Sequence, residues 1–327
     1  MSEKRLNRRT ALGLIGGAAS LIMASPSDAQ SFPTGPIRLI VPFPPGGGAD
    51  AMARIVGPKA SQIAGQDFVI ENHGGANGNI GAELVARANP DGYTILLATA
   101  NLTMSESLYK SLPFNVVNDF TPITYLARTP NILAVNPAVQ AKSLHDLEGL
   151  AKASPGKINF ASDQGGPLRL GVELLSNDTG MILMNVPYNG TSAAILGTLR
   201  GDVSVIMAPA PVLLPYVKSG KLKALAVSSS ERLKAMPDVP TIAESGVVGF
   251  DVNQWYGLLA PAKTPRSMID ALNGIFVKAL RAPDLEGPLR DAILIPVASS
   301  PQNFGDFVRS DIAKWAKVVK AANIPLS

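Results

Sequence analysis

The sequence predicts an α/β protein built around two open sheets. Short apolar runs that are typical of buried strands alternate with stretches of helical periodicity along most of the 327 residues. This alternation occurs twice, in a βαβαβ series that begins at Ile37 and in a second series that begins at Asn131. Glycine-rich turns follow strands in both series. Because parallel strands joined by helices bring such turns to the carboxyl edge of a sheet, we expect a ligand to bind there.

The first glycine-rich turn, Phe43–Gly48, follows the strand at Ile37–Val41 and precedes a helix from about Asp50 to Ile63. Glycine lets the backbone approach a ligand closely. The first N–H groups of a helix have no partner inside it and carry partial positive charge. The turn therefore predicts an anion site made of main-chain N–H groups. Asp50 is interpreted as a helix cap, because an acid in direct contact would repel an anionic ligand.

The next unit repeats this order. A strand at Phe68–Asn72 leads into the glycine-rich turn Gly74–Gly81 and a helix to about Ala88, and a third strand follows at Tyr93–Ala98. The polar stretch Thr99–Thr103 has two open interpretations: it lines the same edge of the sheet, or it caps the next helix. Two glycine turns in successive βα units point to a ligand site more strongly than one does.

The second series predicts further strands and helices in the same rhythm. Ser143 has capping-box-like spacing to Asp146 at the start of one helix. Trp255 and Trp315 are interpreted as core residues, and three helices are expected after residue 264. Predicted strands or extended segments lie at residues 123–126, 131–135, 158–162, 184–187, 203–207, 222–228 and 255–261.

Four segments resemble the Bug/TctC family, the extracytoplasmic solute receptors of tripartite tricarboxylate transporters. They are VPFPPGGGAD, ENHGGANGNIGAELVARANPDGYTIL, VPYNGTSAA and SGKLKALAVSSSERLKAMPDVPTIAESG. The resemblance covers essentially the whole mature chain. It implies a periplasmic-binding-protein-like (type II) two-lobe clamp with a hinge. The expected domains are a cleaved signal peptide (1–29), a discontinuous first lobe (30–127 plus 253–327) and a second lobe (128–252).

The glycine turns and the resemblance together predict the ligand site, which uses turns of both lobes. The candidate ligand residues are Phe43, Pro44, Gly46, Gly47, Asn77, Gly78 and Thr99 in the first lobe, and Ser162, Gly165, Gly166, Arg169, Tyr188, Asn189, Gly190, Thr191 and Ala208 in the second. Arg169 stands where the family usually has histidine, and Ala208-Pro209 where it often has an aromatic residue and an acid. Arg169 either grips a second carboxylate or pairs with Glu173 one helical turn later.

Catalysis and cofactor binding are not expected. The chain has no cysteine and two histidines, His73 and His145, with neither a His-x-x-x-His spacing nor a Gly-x-Ser-x-Gly turn. The contiguous glycines Gly46–Gly48 do not fit a dinucleotide fingerprint, and no Gly-Lys-Ser/Thr follows them. We therefore predict no catalytic residue, no metal and no cofactor.

The N-terminus has the pattern of an export signal, with basic residues before an apolar run and a small-x-small motif at Ser27–Ala29. Arg8-Arg9 leaves both Sec and twin-arginine export open, and either route leads to the periplasm. The chain has 29 Lys and Arg against 25 Asp and Glu, without a basic run. Nucleic acid and membrane-surface partners are therefore disfavoured, and a monomer is expected.

These observations predict a periplasmic solute-binding protein for a small organic anion, a mono-, di- or tricarboxylate. It would deliver this ligand to the permease subunits of a tripartite tricarboxylate-type transporter. One alternative is a carboxylate sensor that presents its ligand-bound form to a sensor kinase. An exported hydrolase is a third possibility, but it would need a catalytic triad that the sequence does not provide.

Overall fold

The structure is a computed structural model that describes residues 32–163 and 167–326. The predicted signal peptide and two candidate ligand residues, Gly165 and Gly166, lie outside the described residues. Within the part of the chain that is described, no helix is both long and apolar enough to pass through a bilayer.

The first series of elements forms the predicted parallel sheet from β1 (Ile37–Val41), β2 (Phe68–Asn72) and β3 (Thr94–Thr99), and the strand order is β2-β1-β3. Every position of β3 is buried, as expected for a parallel sheet that helices cover. The elements are β1 (Ile37–Val41), α1 (Gly48–Ala64), β2 (Phe68–Asn72), a single 3-10 turn (Ala76–Gly78), α2 (Asn79–Ala86), β3 (Thr94–Thr99) and α3 (Ala100–Leu108).

One long strand, β4 (Phe120–Val135), joins the two sheets. We expected two separate segments here, and that prediction is wrong. Residues 120–130 of β4 pair with a strand at residues 253–261, and residues 131–135 pair with a strand at residues 205–209. Partners far along the chain therefore keep the whole segment extended.

The second series also forms the predicted α/β sheet. β5 (Asn159–Asp163) lies between β6 (Met184–Tyr188) and β7 (Val205–Pro209), and all three strands are parallel. β4 runs antiparallel to both β7 and β8. Ser143 accepts a hydrogen bond from the N–H of Asp146 at 3.1 Å, which confirms the predicted helix cap. The elements are α4 (Leu144–Ala153), β5 (Asn159–Asp163), α5 (Pro167–Thr179), β6 (Met184–Tyr188), α6 (Thr191–Arg200), β7 (Val205–Pro209), α7 (Ala210–Lys218) and β8 (Lys223–Val227).

The chain then returns to the first sheet, where β9 (Asn253–Pro261) lies between β3 and β4. Trp255 and Trp315 are 1% and 2% exposed, which confirms that both belong to the core. The two-residue strand β10 was not predicted, because so short a segment has no periodicity to detect. The elements are β9 (Asn253–Pro261), α8 (Arg266–Leu280), α9 (Pro283–Asp291), β10 (Ile295–Pro296) and α10 (Pro301–Ala321).

A buried network of hydrogen bonds around Ser228 lies where the chain passes between the sheets. The N–H of Asn131 donates to Oγ of Ser228 at 2.9 Å, and Oγ of Ser228 donates to the carbonyl of Val252. The side-chain amide of Asn131 donates to the same carbonyl at 3.0 Å. The start of the second-sheet part of β4, the end of β8 and the start of β9 are therefore tied together at one point.

Replacing Ser228 by alanine is expected to lower the free energy of unfolding by about 1–2 kcal/mol, because a buried N–H and a buried carbonyl each lose a partner. Ser219 lies at the exposed end of α7, and its hydroxyl bonds only the nearby carbonyl of Tyr216. The matched variant Ser219→Ala should stay within about 0.5 kcal/mol of the parent protein. Urea unfolding of both variants would measure the difference, and equal effects would contradict the assigned role of Ser228.

Candidate functional site

The two glycine-rich turns of the first sheet lie against each other. A Cβ atom on Gly78 would lie 3.1 Å from the ring of Phe43, and one on Gly74 would lie 3.0 Å from the ring of Pro44. A Cβ atom on Gly81 would lie 2.8 Å from Cβ of Pro42. Glycine is needed at these positions because the two backbones approach too closely for a side chain. The predicted first-lobe turns therefore form one continuous surface, and residues 44–48 of it are exposed.

Asp50 holds the first turn in shape from inside α1. Its carboxylate accepts from the N–H of Gly46 at 3.0 Å, from the side-chain amide of Asn72 at 3.0 Å and from Nε of Arg54 at 2.8 Å. Asn72 also donates to the carbonyl of Phe43 at 3.0 Å. The guanidinium of Arg54, helped by Gly46 and Asn72, lowers the pKa of Asp50 to about 2 against the cost of burial.

This arrangement corrects the interpretation of Asp50 as a helix cap. Gly47 is the N-cap residue of α1, and it makes no side-chain capping bond. Asp50, the third residue of α1, instead reaches back out of the helix and accepts from the N–H of Gly46, one residue before the N-cap. The N–H of Gly46 is thereby occupied, and the N–H groups of the first turn of α1 remain as the donors for a ligand.

A short chain of polar side chains borders the second turn. The amide of Asn101 donates to Oδ1 of Asn77 at 2.5 Å, and the hydroxyl of Thr99 donates to Oδ1 of Asn101 at 3.2 Å. Thr99 is the N-cap residue of α3 but makes no side-chain capping bond. Together with Phe43 and Gly78, these residues line a cavity of about 10 Å³. The sequence reasoning missed Asn72, although its position at the end of β2 was the available signal.

His73 belongs to an ion-pair cluster beside the second turn. Arg38 donates to both carboxylate oxygens of Glu71 at 2.8 Å, and Nε2 of His73 lies 3.1 Å from the same carboxylate. Arg38, followed by His73, lowers the pKa of Glu71 to about 2. A structural role of His73 in orienting the turn accounts for these contacts.

The candidate residues of the second lobe lie at the carboxyl ends of β5, β6 and β7. Ser162, the last residue but one of β5, is fully buried, and so is Ala208, the last residue but one of β7. Tyr188 ends β6, and its ring lies against Gly197 of α6. Asn189 and Gly190 are exposed, and Gly190 is the N-cap residue of α6 with φ +90°, a conformation that favours glycine. Thr191 is the first residue of α6.

Arg169 lies in the first turn of α5, next to the undescribed residues 164–166. Its Nε donates to Oε1 of Glu173 at 3.3 Å, and the two side chains are 21% and 18% exposed. The predicted pairing with Glu173 is therefore confirmed. The alternative, a bond to a ligand carboxylate, stays a prediction.

The register of β4 shows how the two carboxyl edges lie relative to each other. Ala127 of β4 pairs with Tyr256 of β9, which pairs with Thr99 at the end of β3. Asn131 of β4 pairs with Pro209 at the end of β7. Four residues of a strand span about 13 Å, so the ends of β3 and β7 approach the same short stretch of β4 from opposite directions.

The chemistry of this region suits the binding of an anion. Helix N-termini follow the strands of both sheets, and their N–H groups suit an anion. In the described part of the chain, no group of three or more His, Cys, Asp or Glu side chains could hold a metal ion.

Comparison with known proteins identifies the family to which this chain belongs. The sequence pattern of the tripartite tricarboxylate transporter family receptor, TctC, matches residues 52–324. Protein BugT of Bordetella pertussis is 34% identical over 98% of this chain and 100% of its own length.

Solved structures of relatives share the fold. An R. palustris protein, Rpa4515, solved with adipate, is 32% identical with a TM-score of 0.80, over 91% of this chain and all of its own. MatC from Rhodopseudomonas palustris with bound malate is 30% identical with a TM-score of 0.75, over 88% of this chain and all of its own. The predicted resemblance and the periplasmic-binding-protein-like α/β fold are therefore confirmed. The chain belongs to the TctC family of tripartite tricarboxylate transporter receptors, and it is a solute-binding receptor and not an enzyme.

Proposed function

We propose that this receptor captures a small organic carboxylate in the periplasm and delivers it to the permease of a tripartite tricarboxylate-type transporter. The ligand would lie between a first lobe formed by residues 30–127 and 253–327 and a second lobe formed by residues 128–252. The leader at residues 1–29 would direct export and be removed.

The observation that carries this proposal is the register of β4. It brings the ends of β3 and β7 toward one stretch of strand, and each end is followed directly by a helix, α3 and α7. A ligand held there would meet N–H donors from both sheets. Closure of the lobes would remove water from around it and strengthen those bonds.

The magnitudes support an anion held by the main chain. One hydrogen bond to a charged group contributes about 1.5–3 kcal/mol. Four or five such bonds, less the cost of ordering ligand and lobes, reach the roughly −8 kcal/mol of micromolar binding. Two relatives were solved with adipate and with malate, both dicarboxylates, and this supports the same class of ligand here.

The proposal is tested by a panel of mono-, di-, tri- and aromatic carboxylates added to ligand-free mature protein. At least one member should raise the melting temperature, because a ligand that binds only the folded state stabilises it by mass action. A flat response to the whole panel would count against a carboxylate receptor. Mass spectrometry of the protein as purified would identify a ligand retained from the cell.

Arg169 allows a sharper test of how the second lobe contributes. If its guanidinium holds the far carboxylate, Arg169→Gln should weaken dicarboxylate binding about tenfold or more and leave monocarboxylates unaffected. Glu173→Gln is the matched control, because it breaks the same ion pair but leaves the arginine available to the ligand. Isothermal titration calorimetry would measure both. An equal loss in the two variants, or none in either, would show that the ion pair serves structure alone.

A further inference from the structure

A large cavity lies away from the candidate ligand residues of the two lobes. It has a volume of about 660 Å³ and is walled by β4, β9, β10 and α10. None of its lining residues is among the candidate ligand residues of the two lobes. Its size falls within the range of ordinary small-molecule sites. Asp251 and Asn253 form part of its wall. They flank Val252, whose carbonyl belongs to the buried hydrogen-bond network around Ser228.

One wall of the cavity is aromatic. The rings of Tyr125 and Phe307 are 4.7 Å apart, and those of Trp255 and Phe307 are 5.6 Å apart. Ile295 and Val297 add apolar surface, and they are 39% and 40% exposed. An apolar group of a ligand bound here would remove this apolar surface from water.

Two of the charged residues of the cavity are already engaged. The carboxylate of Asp311 accepts from the hydroxyl of Thr103 at 2.6 Å and from the indole of Trp255 at 3.0 Å. The ammonium group of Lys314 donates to the carbonyl of Asp251 at 2.6 Å. These bonds hold α10 against α3, against β9 and against the backbone of Asp251, which precedes β9.

The other two charged residues are only partly engaged, since the carboxylate of Asp251 accepts one hydrogen bond, from the side-chain amide of Asn253 at 2.6 Å. Arg128 and Asp251 form an ion pair at 3.7 Å, too long for a hydrogen bond, and their side chains are 27% and 41% exposed. Within the described residues, the guanidinium of Arg128 makes no hydrogen bond, although it carries five donors. Its ability to bind a carboxylate in bidentate fashion is therefore unused.

A buried polar atom in the wall also lacks a partner. Nε1 of Trp315 makes no hydrogen bond within the described residues, and this side chain is 2% exposed. Burial raises the pKa of the nearby Asp311 carboxyl, and Trp315 is among the neighbours that partly offset this rise. The cavity therefore combines aromatic surface with accessible charges of both signs.

We propose that this cavity is a second binding site, for an α-amino acid with an apolar side chain. The ligand carboxylate binds Arg128, its ammonium group binds Asp251, and its side chain lies on the rings of Tyr125 and Phe307. A zwitterion suits the site because the accessible pair carries both signs side by side. A plain carboxylate on Arg128 would give Asp251 no new cationic partner beside the neutral amide of Asn253, and a plain amine on Asp251 would leave the guanidinium of Arg128 without a carboxylate to bind.

The two tryptophans of the chain, Trp255 and Trp315, both line this cavity, so intrinsic fluorescence reports on it directly. The probe is L-phenylalanine, titrated into the mature protein. Hydrocinnamate, which lacks the ammonium group, and phenethylamine, which lacks the carboxylate, are the comparison ligands. A saturable change in fluorescence is expected with phenylalanine, and at least tenfold weaker responses with the other two.

Variants identify where the probe binds. Arg128→Gln should weaken the response to phenylalanine about tenfold or more, and Arg128→Lys should restore part of it. Arg232→Gln is the matched control, because Arg232 pairs with Glu244 at 2.8 Å on an exposed surface away from the cavity. The response should persist in Gly81→Ala, which disturbs the glycine turns of the first lobe. An absent response, one unchanged by Arg128→Gln, or one equally strong with hydrocinnamate would overturn the proposal.

Discussion

Replacing Gly81 by alanine is expected to abolish carboxylate binding and to lower the free energy of unfolding by about 1–3 kcal/mol. The new Cβ atom would lie 2.8 Å from Cβ and 2.9 Å from Cα of Pro42, and 2.9 Å from the carbonyl oxygen of His73. Two of these three atoms are backbone, so no side chain can move aside to relieve the contact. The two glycine turns would have to separate, which moves the N–H donors off their common surface.

Gly149 provides the matched control for this substitution. It also lies within a helix, α4, and a Cβ atom there meets nothing within 4 Å. Gly149→Ala should therefore stabilise the protein by about 0.5–1 kcal/mol through helix propensity, with ligand affinity unchanged. Calorimetry with the best carboxylate from the panel and urea unfolding would measure both properties. Normal affinity in Gly81→Ala would refute the idea that contact between the turns builds the site.

The second large effect is expected from Asp50→Asn. The carboxylate is 4% exposed and accepts three hydrogen bonds, one of them from a charged guanidinium. Asparagine would present an N–H group where an acceptor is needed. A loss of about 2–3 kcal/mol of stability at neutral pH follows, because hydrogen bonds to charged groups contribute most and buried partners would be left unpaired.

This effect should depend on pH in a defined direction. The pKa of Asp50 is about 2 in the folded protein, below the ordinary value of 3.8. The unfolded chain therefore takes up the proton first as the pH falls, so the contribution of the carboxylate is fully present above its ordinary pKa. About 2 kcal/mol of stability should then be lost between roughly pH 5 and pH 2. The difference between the parent protein and Asp50→Asn should shrink across the same range.

Asp270→Asn is the control for both measurements. Asp270 pairs with Arg266, and like Asp50 with Arg54 the two residues are four apart in a helix, but both side chains are more than half exposed. Its replacement should cost no more than about 0.5 kcal/mol at any pH. Urea unfolding over a series of pH values gives the required curves. If the curves for Asp50→Asn and the parent protein stay parallel down to low pH, the carboxylate does not have the lowered pKa.

Much of the fold could be predicted from local pattern. The strand at residues 68–72 was predicted to the residue, and the helices that follow the two glycine turns of the first sheet were predicted within three residues, because periodicity and glycine conformation are properties of neighbouring residues. The break expected within β4 failed for the opposite reason. Pairing with β9 and β7, whose residues lie far along the chain, keeps the strand continuous, and local pattern does not show such partners.

The candidate site divides in the same way. The glycine turns could be predicted from the sequence, because their length and residue types indicate a close approach of the backbone. The supporting contacts of Asn72 and Asn101 were not, because each joins segments that are distant along the chain. The role of Asp50 was misread for a related reason: a cap and a bond back to the turn place the acid in the same part of the helix.

By itself, the sequence determined that this protein is α/β and that glycine turns end its strands, and four of its segments resemble the receptors of tripartite tricarboxylate transporters. The first two properties follow from short-range spacing and from residue types, and the third rests on the resemblance. Only the tertiary structure decided that β4 spans both sheets, that Asp50 binds the N–H of Gly46 and that Arg169 pairs with Glu173. Each of these depends on which of several possible partners the packed chain brings within bonding distance, and residue spacing alone does not choose among them.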